Sequence, residues 1–154
     1  DSLKKNNNKC PVMISSSTQA ALDNPYGLSK RKGEELMFSY GKETGAKVLV
    51  YRFPNVFGMG CRPNYNSFVT TMCYNIANDL PISINNRDTL LTLVYVGDIV
   101  EELILALSGD EHYDGEYAIV PVTYQKTLGE IADLLYSFKS SIEIGIKRYN
   151  FRSA

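Results

Sequence analysis

Short apolar runs alternate with polar, turn-forming stretches along this chain. Cys10-Pro11-Val12-Met13-Ile14 gives way to Ser15-Ser16-Ser17-Thr18, which predicts a buried strand ending in a hydroxyl-rich turn. Asp23-Asn24-Pro25 is turn chemistry, with a proline placed to open a helix. That helix is predicted over about residues 26–43, with Leu28, Leu36, Met37 and Tyr40 inward and Gly41 and Gly45 as its stop. Residues 47–53 are strongly β-prone and end at Pro54-Asn55. Strand, helix and strand with short connections form a βαβ unit, which implies a parallel sheet.

Residues 57–65 are rich in Gly, Pro and Asn and read as a loop, Gly58-Met59-Gly60 included. Residues 67–79 read as a helix, with Phe68, Met72 and Ile76 four apart. Residues 81–84 and 92–96 are short strand candidates. Asp98 is placed to cap a helix over residues 99–108, whose Ile99, Leu103 and Ala106 share a face. Residues 117–120 form another strand, and Thr127-Leu128-Gly129-Glu130 is a capping box opening a helix to about Lys139. The stretch 142–154 alternates weakly and then turns polar. No repeat, linker or second-domain boundary stands out. No G-x-G-x-x-G occurs, although a doubly wound nucleotide-binding fold normally opens on such a turn.

Composition narrows the chemistry. The 154 residues amount to one domain, and 44% hydrophobic with 21% charged residues is ordinary globular usage. A formal charge of −1 gives no electrostatic reason to expect nucleic acid or an anionic membrane. No apolar run approaches the roughly 18 residues of a membrane span, and the polar opening residues 1–9 lack a secretory pattern. Cys10, Cys61 and Cys73 are far apart, and the lone His112 cannot complete a zinc set. Reduced thiols, a cytoplasmic location and no metal are therefore expected, and one histidine argues against a Ser-His-Asp hydrolase.

Tyr26 and Lys30 stand four apart on the predicted helix and so share a face. An ammonium beside a phenol favours the phenolate, which makes tyrosine a usable acid or base for a carbonyl and alcohol pair. Ser17, at the end of the preceding strand, could hold the same oxygen by a hydrogen bond, with Ser16 and Thr18 as neighbours able to take that role. With 11 Tyr and 10 Lys, chance alone supplies about 0.7 such spacings, so the pair by itself carries nothing.

The order of motifs carries more. Met13-Ile14-Ser15-Ser16-Ser17 is followed by Asn24-Pro25-Tyr26-Gly27-Leu28-Ser29-Lys30 with Glu34-Glu35-Leu36. Arg52-Phe53-Pro54-Asn55-Val56-Phe57-Gly58 and Tyr95-Val96-Gly97-Asp98-Ile99-Val100 complete the series. This resembles the later half of the extended short-chain dehydrogenase/reductase family, which acts on nucleotide sugars. Gln19-Ala20, the short step from Ser17 to Tyr26 and Arg62-Pro63-Asn64-Tyr65-Asn66-Ser67 are similar to a capsular polysaccharide subgroup whose members fuse a reductase domain to a C-terminal cupin. No cupin-like histidine cluster is present.

The resemblance implies an α/β fold: the C-terminal half of a doubly wound Rossmann-like parallel sheet, plus a small substrate-binding α/β part. Residues 1–154 would then be a partial NAD(P)-dependent epimerase/dehydratase domain without its Gly-rich half. It implies NAD(P)H-dependent reduction of a 4-keto nucleotide sugar, NADPH being favoured, with a homodimer in the full-length protein. Tyr26 would be the acid/base, Lys30 would support it and bond the nicotinamide ribose, and Ser17 would orient the carbonyl. Pro54 would line the nicotinamide, Asn55, Asn64 and Asn66 the sugar, and Arg87 would reach a diphosphate. A 4-epimerase or dehydratase using the same three side chains, or an inactive fragment that only packs against a partner, are the alternatives. Left alone, the apolar strands of a half sheet would leave edges that invite self-association.

Overall fold

The computed structural model describes residues 2–143. After a one-turn helix α1 (Ser2–Lys5), strand β1 (Val12–Ser17) leads into a 3-10 turn (Thr18–Ala21) and helix α2 (Pro25–Thr44). Strands β2 (Val48–Phe53) and β3 (Asn55–Phe57), helix α3 (Phe68–Ala77), strand β4 (Leu90–Tyr95) and helix α4 (Val96–Ser108) follow. Strands β5 (His112–Asp114), β6 (Tyr117–Ile119) and β7 (Tyr124–Thr127) precede helix α5 (Leu128–Glu143). One sheet has the order β1-β2-β6-β5 and the other β3-β4-β7.

The described residues fold as two compact units, the first being those up to Val56 with Val94–Thr123, the second Phe57–Leu93 with those from Tyr124 to Glu143. No linker marks the division, because the chain crosses it inside or beside strands. In the first unit β1 and β2 pair in parallel from Val12↔Val48 to Ser17↔Phe53, and β2 pairs in parallel with β6. The expected βαβ unit is present, and the α/β fold with it. Leu49, Tyr51, Ala106 and Ala118 form one buried cluster there, and Val94, Ile99 and Val120 another. In the second unit β4 and β7 are antiparallel, over a core of Met72, Leu93 and Ile131.

Several expectations need correcting. β1 runs on through Ser17, so the serines belong to the strand and the turn begins at Thr18. Gly41 lies inside α2, and only Gly45, at φ 72°, ends it. Leu28 and Leu36 face outward, Leu36 at 71% exposure, while Gly27, Glu34 and Tyr40 are buried. The packed face is the line Gly27, Glu34, Gly41, spaced by seven. A Cβ on Gly41 would stand 3.0 Å from Val48 Cγ2 and 3.2 Å from the Ala46 carbonyl, so two glycines let this helix sit close.

Residues 81–84 form no strand, since Pro81 offers no N–H to a ladder, yet Ile82 and Ile84 still pack against the second core. Asp98 lies in the first turn of α4 and is not its cap, which is Tyr95. The polar stretch around His112 forms a hairpin with β6 that turns at Gly115, φ 61°. The capping box forms as expected: Thr127 N–H donates to Glu130 Oε2 at 2.7 Å and Glu130 N–H to Thr127 Oγ1 at 3.1 Å. From residue 144 on, the weakly alternating tail lies outside the described residues.

Candidate active site

In open parallel sheets ligands gather at the carboxyl ends of the strands. Ser17 and Phe53 are register partners there, so Ser17 and Pro54 stand at neighbouring strand ends. Ser17 has extended backbone (φ −142°, ψ 147°) and caps the 3-10 turn, its Oγ accepting from Gln19 N–H at 3.2 Å. That bond uses an oxygen lone pair, not the O–H. Ser16 is buried, and its hydroxyl donates to Glu34 Oε1. Among the three adjacent hydroxyls, Ser16 is therefore engaged inside the protein.

Helix α2 begins at a well-made cap. Asn24 Oδ1 accepts from Gly27 N–H at 2.7 Å, and Pro25 occupies the first turn. Tyr26 follows, 50% exposed, and one turn on the Lys30 ammonium lies 5.6 Å from its ring centroid. That is within reach of a cation–π contact. Tyr26 and Lys30 thus share a face, as the spacing requires.

Gly27 seats this turn. A Cβ there would stand 2.3 Å from the Leu22 carbonyl oxygen and 2.5 Å from that of Gln19, so only glycine fits. Arg31 adds a clamp, its Nε donating to the Ala20 carbonyl at 3.0 Å and its Nη2 meeting Asp23 at 3.3 Å. Gln19 therefore touches both sides: its N–H meets Ser17, and its carbonyl backs onto the residue after Tyr26.

Beneath them lies a buried ion pair. Glu34, 2% exposed, accepts from Arg52 Nε at 3.0 and 3.2 Å and from Nη2 at 2.6 Å. Arg52 also lies 3.9 Å from the Tyr117 ring centroid, and Tyr117 meets Phe38 edge-on. Burial pushes the Glu34 carboxyl upward, but hydrogen bonds from Arg52 and Ser16 and the Arg52 charge outweigh it and hold it below the usual range. Breaking one partner of such a pair strands a buried charge, at about 3–5 kcal/mol.

A second buried carboxylate, Glu102, accepts from Tyr51 at 3.2 Å and from His112 N–H at 3.0 Å, with His112 Nδ1 2.7 Å from its other oxygen. His112 thus holds a hairpin. Burial, and then Glu102, raise the Tyr51 phenol; burial and Glu111 raise Tyr113 to about 12. Both phenols serve structure. Sequence reasoning missed Glu34, Arg52 and Glu102, although a charge inside the apolar strand run Val48-Leu49-Val50-Tyr51-Arg52-Phe53 signals a buried partner.

Pro54 is half-buried and Asn55 exposed, at the strand end in the first unit. Asn64 and Asn66 belong to the second unit, where they line a cavity of about 520 Å³ with Ser67, Thr71 and Asn75. Asn64 takes a left-handed conformation, φ 55°, and its N–H donates to Thr71 Oγ1 at 2.9 Å. Arg87, also in the second unit, is bound to α5, its Nη2 2.7 Å from both Asp133 oxygens and 3.4 Å from the Gly129 carbonyl. Among the described residues no group of three or more His, Cys, Asp or Glu could hold a metal, and no helix is long and apolar enough to cross a membrane.

Residues 7–119 match the model of the NAD dependent epimerase/dehydratase family. The chain belongs to that family. Over 141 residues, 92% of its length, it is 42% identical to a UDP-2-acetamido-2,6-beta-L-arabino-hexul-4-ose reductase of Pseudomonas aeruginosa. Its structure is similar to the capsular polysaccharide assembling protein CapF of Staphylococcus aureus, at TM-score 0.84 and 48% identity over 90% of the chain. The chain spans only 38% of the length of each of these two proteins. A Thermus thermophilus UDP-glucose 4-epimerase in complex with NAD shares the fold, at TM-score 0.66 and 21% identity, over 82% of this chain and 47% of that one. This member of the epimerase/dehydratase family thus carries the expected Rossmann-like fragment, and its Tyr26, Lys30 and Ser17 all lie within the matched region.

Proposed function

We propose that this chain supplies the proton-transfer and substrate-side part of an NAD(P)H-dependent reductase acting on a 4-keto nucleotide sugar, in the synthesis of capsular or surface polysaccharide precursors. One observation carries the reading: Gly27 packs without clearance on Leu22 and Gln19, seating the turn with Tyr26 and Lys30 against the turn that Ser17 caps. The reductase name of the Pseudomonas relative supplies the direction of the reaction.

A nicotinamide held by Lys30 and Pro54 would supply the hydride for the carbonyl carbon. The chain's own residues do the rest. Tyr26 gives its phenolic proton to the carbonyl oxygen as that oxygen gains charge, which leaves an alcohol and a phenolate to be reprotonated from solvent. Lys30 keeps positive charge beside the phenol, and the Ser17 O–H donates to the same oxygen. The half-exposed phenol, the ammonium and the neighbouring ends of β1 and β2 suit the nicotinamide end of a dinucleotide, with Lys30 on its ribose and Pro54 along its ring. The described residues contain no Gly-rich turn to hold the pyrophosphate.

Asn55, Asn64 and Asn66 are amides suited to sugar hydroxyls or an acetamido group, and the cavity around Asn64 and Asn66 supports that use. Arg87 is the candidate for the diphosphate, its guanidinium meeting Asp133 in an exposed and hence weak ion pair. NADPH as the preferred donor, a cytoplasmic location and a homodimeric full-length enzyme complete the proposal. In the full-length protein, Tyr26→Phe lowers turnover about 10²- to 10⁴-fold while dinucleotide binding and melting temperature stay near wild type. Wild-type turnover in that variant overturns the proposal. Product analysis separates reduction from epimerisation or dehydration by the same side chains.

A further inference from the structure

Tyr26, Lys30 and Glu34 lie four apart on α2, so they stack along one ridge of the helix. Tyr26 is exposed and Lys30 half-buried, and Glu34 is buried and tied to two strands: to Ser16 on β1 and to Arg52 on β2. Ser16 immediately precedes Ser17, and Arg52 precedes Phe53, the register partner of Ser17. We infer that the Glu34–Ser16–Arg52 cluster is a positioning device, locking the helix that carries Tyr26 and Lys30 to the strand end that carries Ser17. The inference rests on the proposed roles of those three residues.

The geometry sets the sensitivity. Glu34 is eight residues from Tyr26, a lever of about 12 Å at 1.5 Å per residue. A tilt of about 5° at Glu34 shifts Tyr26 by about 1 Å, the scale of misplacement that costs about 10²-fold in rate. The bidentate Arg52 fork fixes direction as well as distance, which a single contact would not do. Tyr117 under the guanidinium, and Phe38 one further turn along the ridge, hold Arg52 in turn. No member of the cluster need touch substrate.

The test uses the full-length enzyme with Glu34→Gln, Ser16→Ala and Tyr26→Phe, singly and with each of the first two combined with the third. Ser16→Ala removes one hydroxyl, so it remains informative if Glu34→Gln fails to fold. Glu34→Gln and Ser16→Ala each lower kcat by about 10-fold or more, with KM for the sugar within about twofold, because binding groups are intact. In the Tyr26→Phe background neither lowers kcat further, since both act through that hydroxyl. Wild-type kcat in folded Glu34→Gln or in Ser16→Ala overturns the inference, as does a loss that persists undiminished without the Tyr26 hydroxyl. If Tyr26→Phe is itself fully active, the functional proposal fails first, and the inference falls with it.

Discussion

Gly27→Ala tests the seating of the site directly. The added Cβ would stand 2.3 Å from the Leu22 oxygen and 2.5 Å from the Gln19 oxygen, where ordinary contact begins at 3.4 Å. One side must therefore retreat by about 1 Å to restore contact distance. Neither obstacle can swing aside, because both are backbone carbonyls, and the Gln19 oxygen already accepts from Leu22 N–H at 2.9 Å. Such overpacking costs about 1–3 kcal/mol, which in a chain of this size lowers the melting temperature by about 2–12 °C. Tyr26 is the preceding residue and moves with the helix end, so kcat falls about 10²-fold. Gly33→Ala is the control on the same helix. Its Cβ meets only Ile14 Cδ1 at 4.0 Å, so helix propensity dominates and stabilises by about 1 kcal/mol, with turnover unchanged. Thermal unfolding and steady-state kinetics of both variants give the answer. A Gly27→Ala protein that melts and turns over like wild type would show that the two turns are not held together by this contact.

Because Glu34 titrates below its unfolded value of 4.5 in the folded chain, its stabilisation is complete above that pH and is lost as pH falls through the folded value. The stability gap between wild type and Glu34→Gln should therefore narrow as pH falls below 4.5; a constant gap in urea titrations contradicts the pairing. Thr127→Ala removes the α5 cap and should cost about 1 kcal/mol in a denaturant titration while leaving kcat alone.

The parts of the fold that were legible in the chain are those set by local chemistry. Asn24-Pro25 opens α2, Gly45 closes it, and Thr127 with Glu130 opens α5, since each cap is made within a few residues. The parallel pairing of β1 with β2 followed from strand, helix and strand in order. Three short strands, β3, β5 and β7, were not legible. Each is three or four residues long, and none has more than an intermediate degree of burial, so no periodic apolar pattern exists to find. Besides its ladder with β6, β5 is tied through His112 to a carboxylate ten residues upstream, Glu102, which no window on the hairpin contains. Residues 81–84 erred in the other direction: two half-buried isoleucines mimic a strand that Pro81 cannot join.

The larger misreading concerns α2, and its cause bears on function. Hydrophobicity assigns Leu28 and Leu36 to the core, but the helix is turned so that Glu34 faces the sheet. That orientation is sustained by Arg52, eighteen residues away, whose fork turns a costly buried carboxylate into a paired one. A pair of well-packed apolar residues would serve stability at least as well. What it would not supply is direction: a bidentate bond and a serine hydroxyl fix the angle of the helix against two strands, where an apolar contact tolerates sliding. The breach of the hydrophobic pattern therefore falls on the helix and strands that carry Tyr26, Lys30 and Ser17, where a site needing sub-ångström placement would require it.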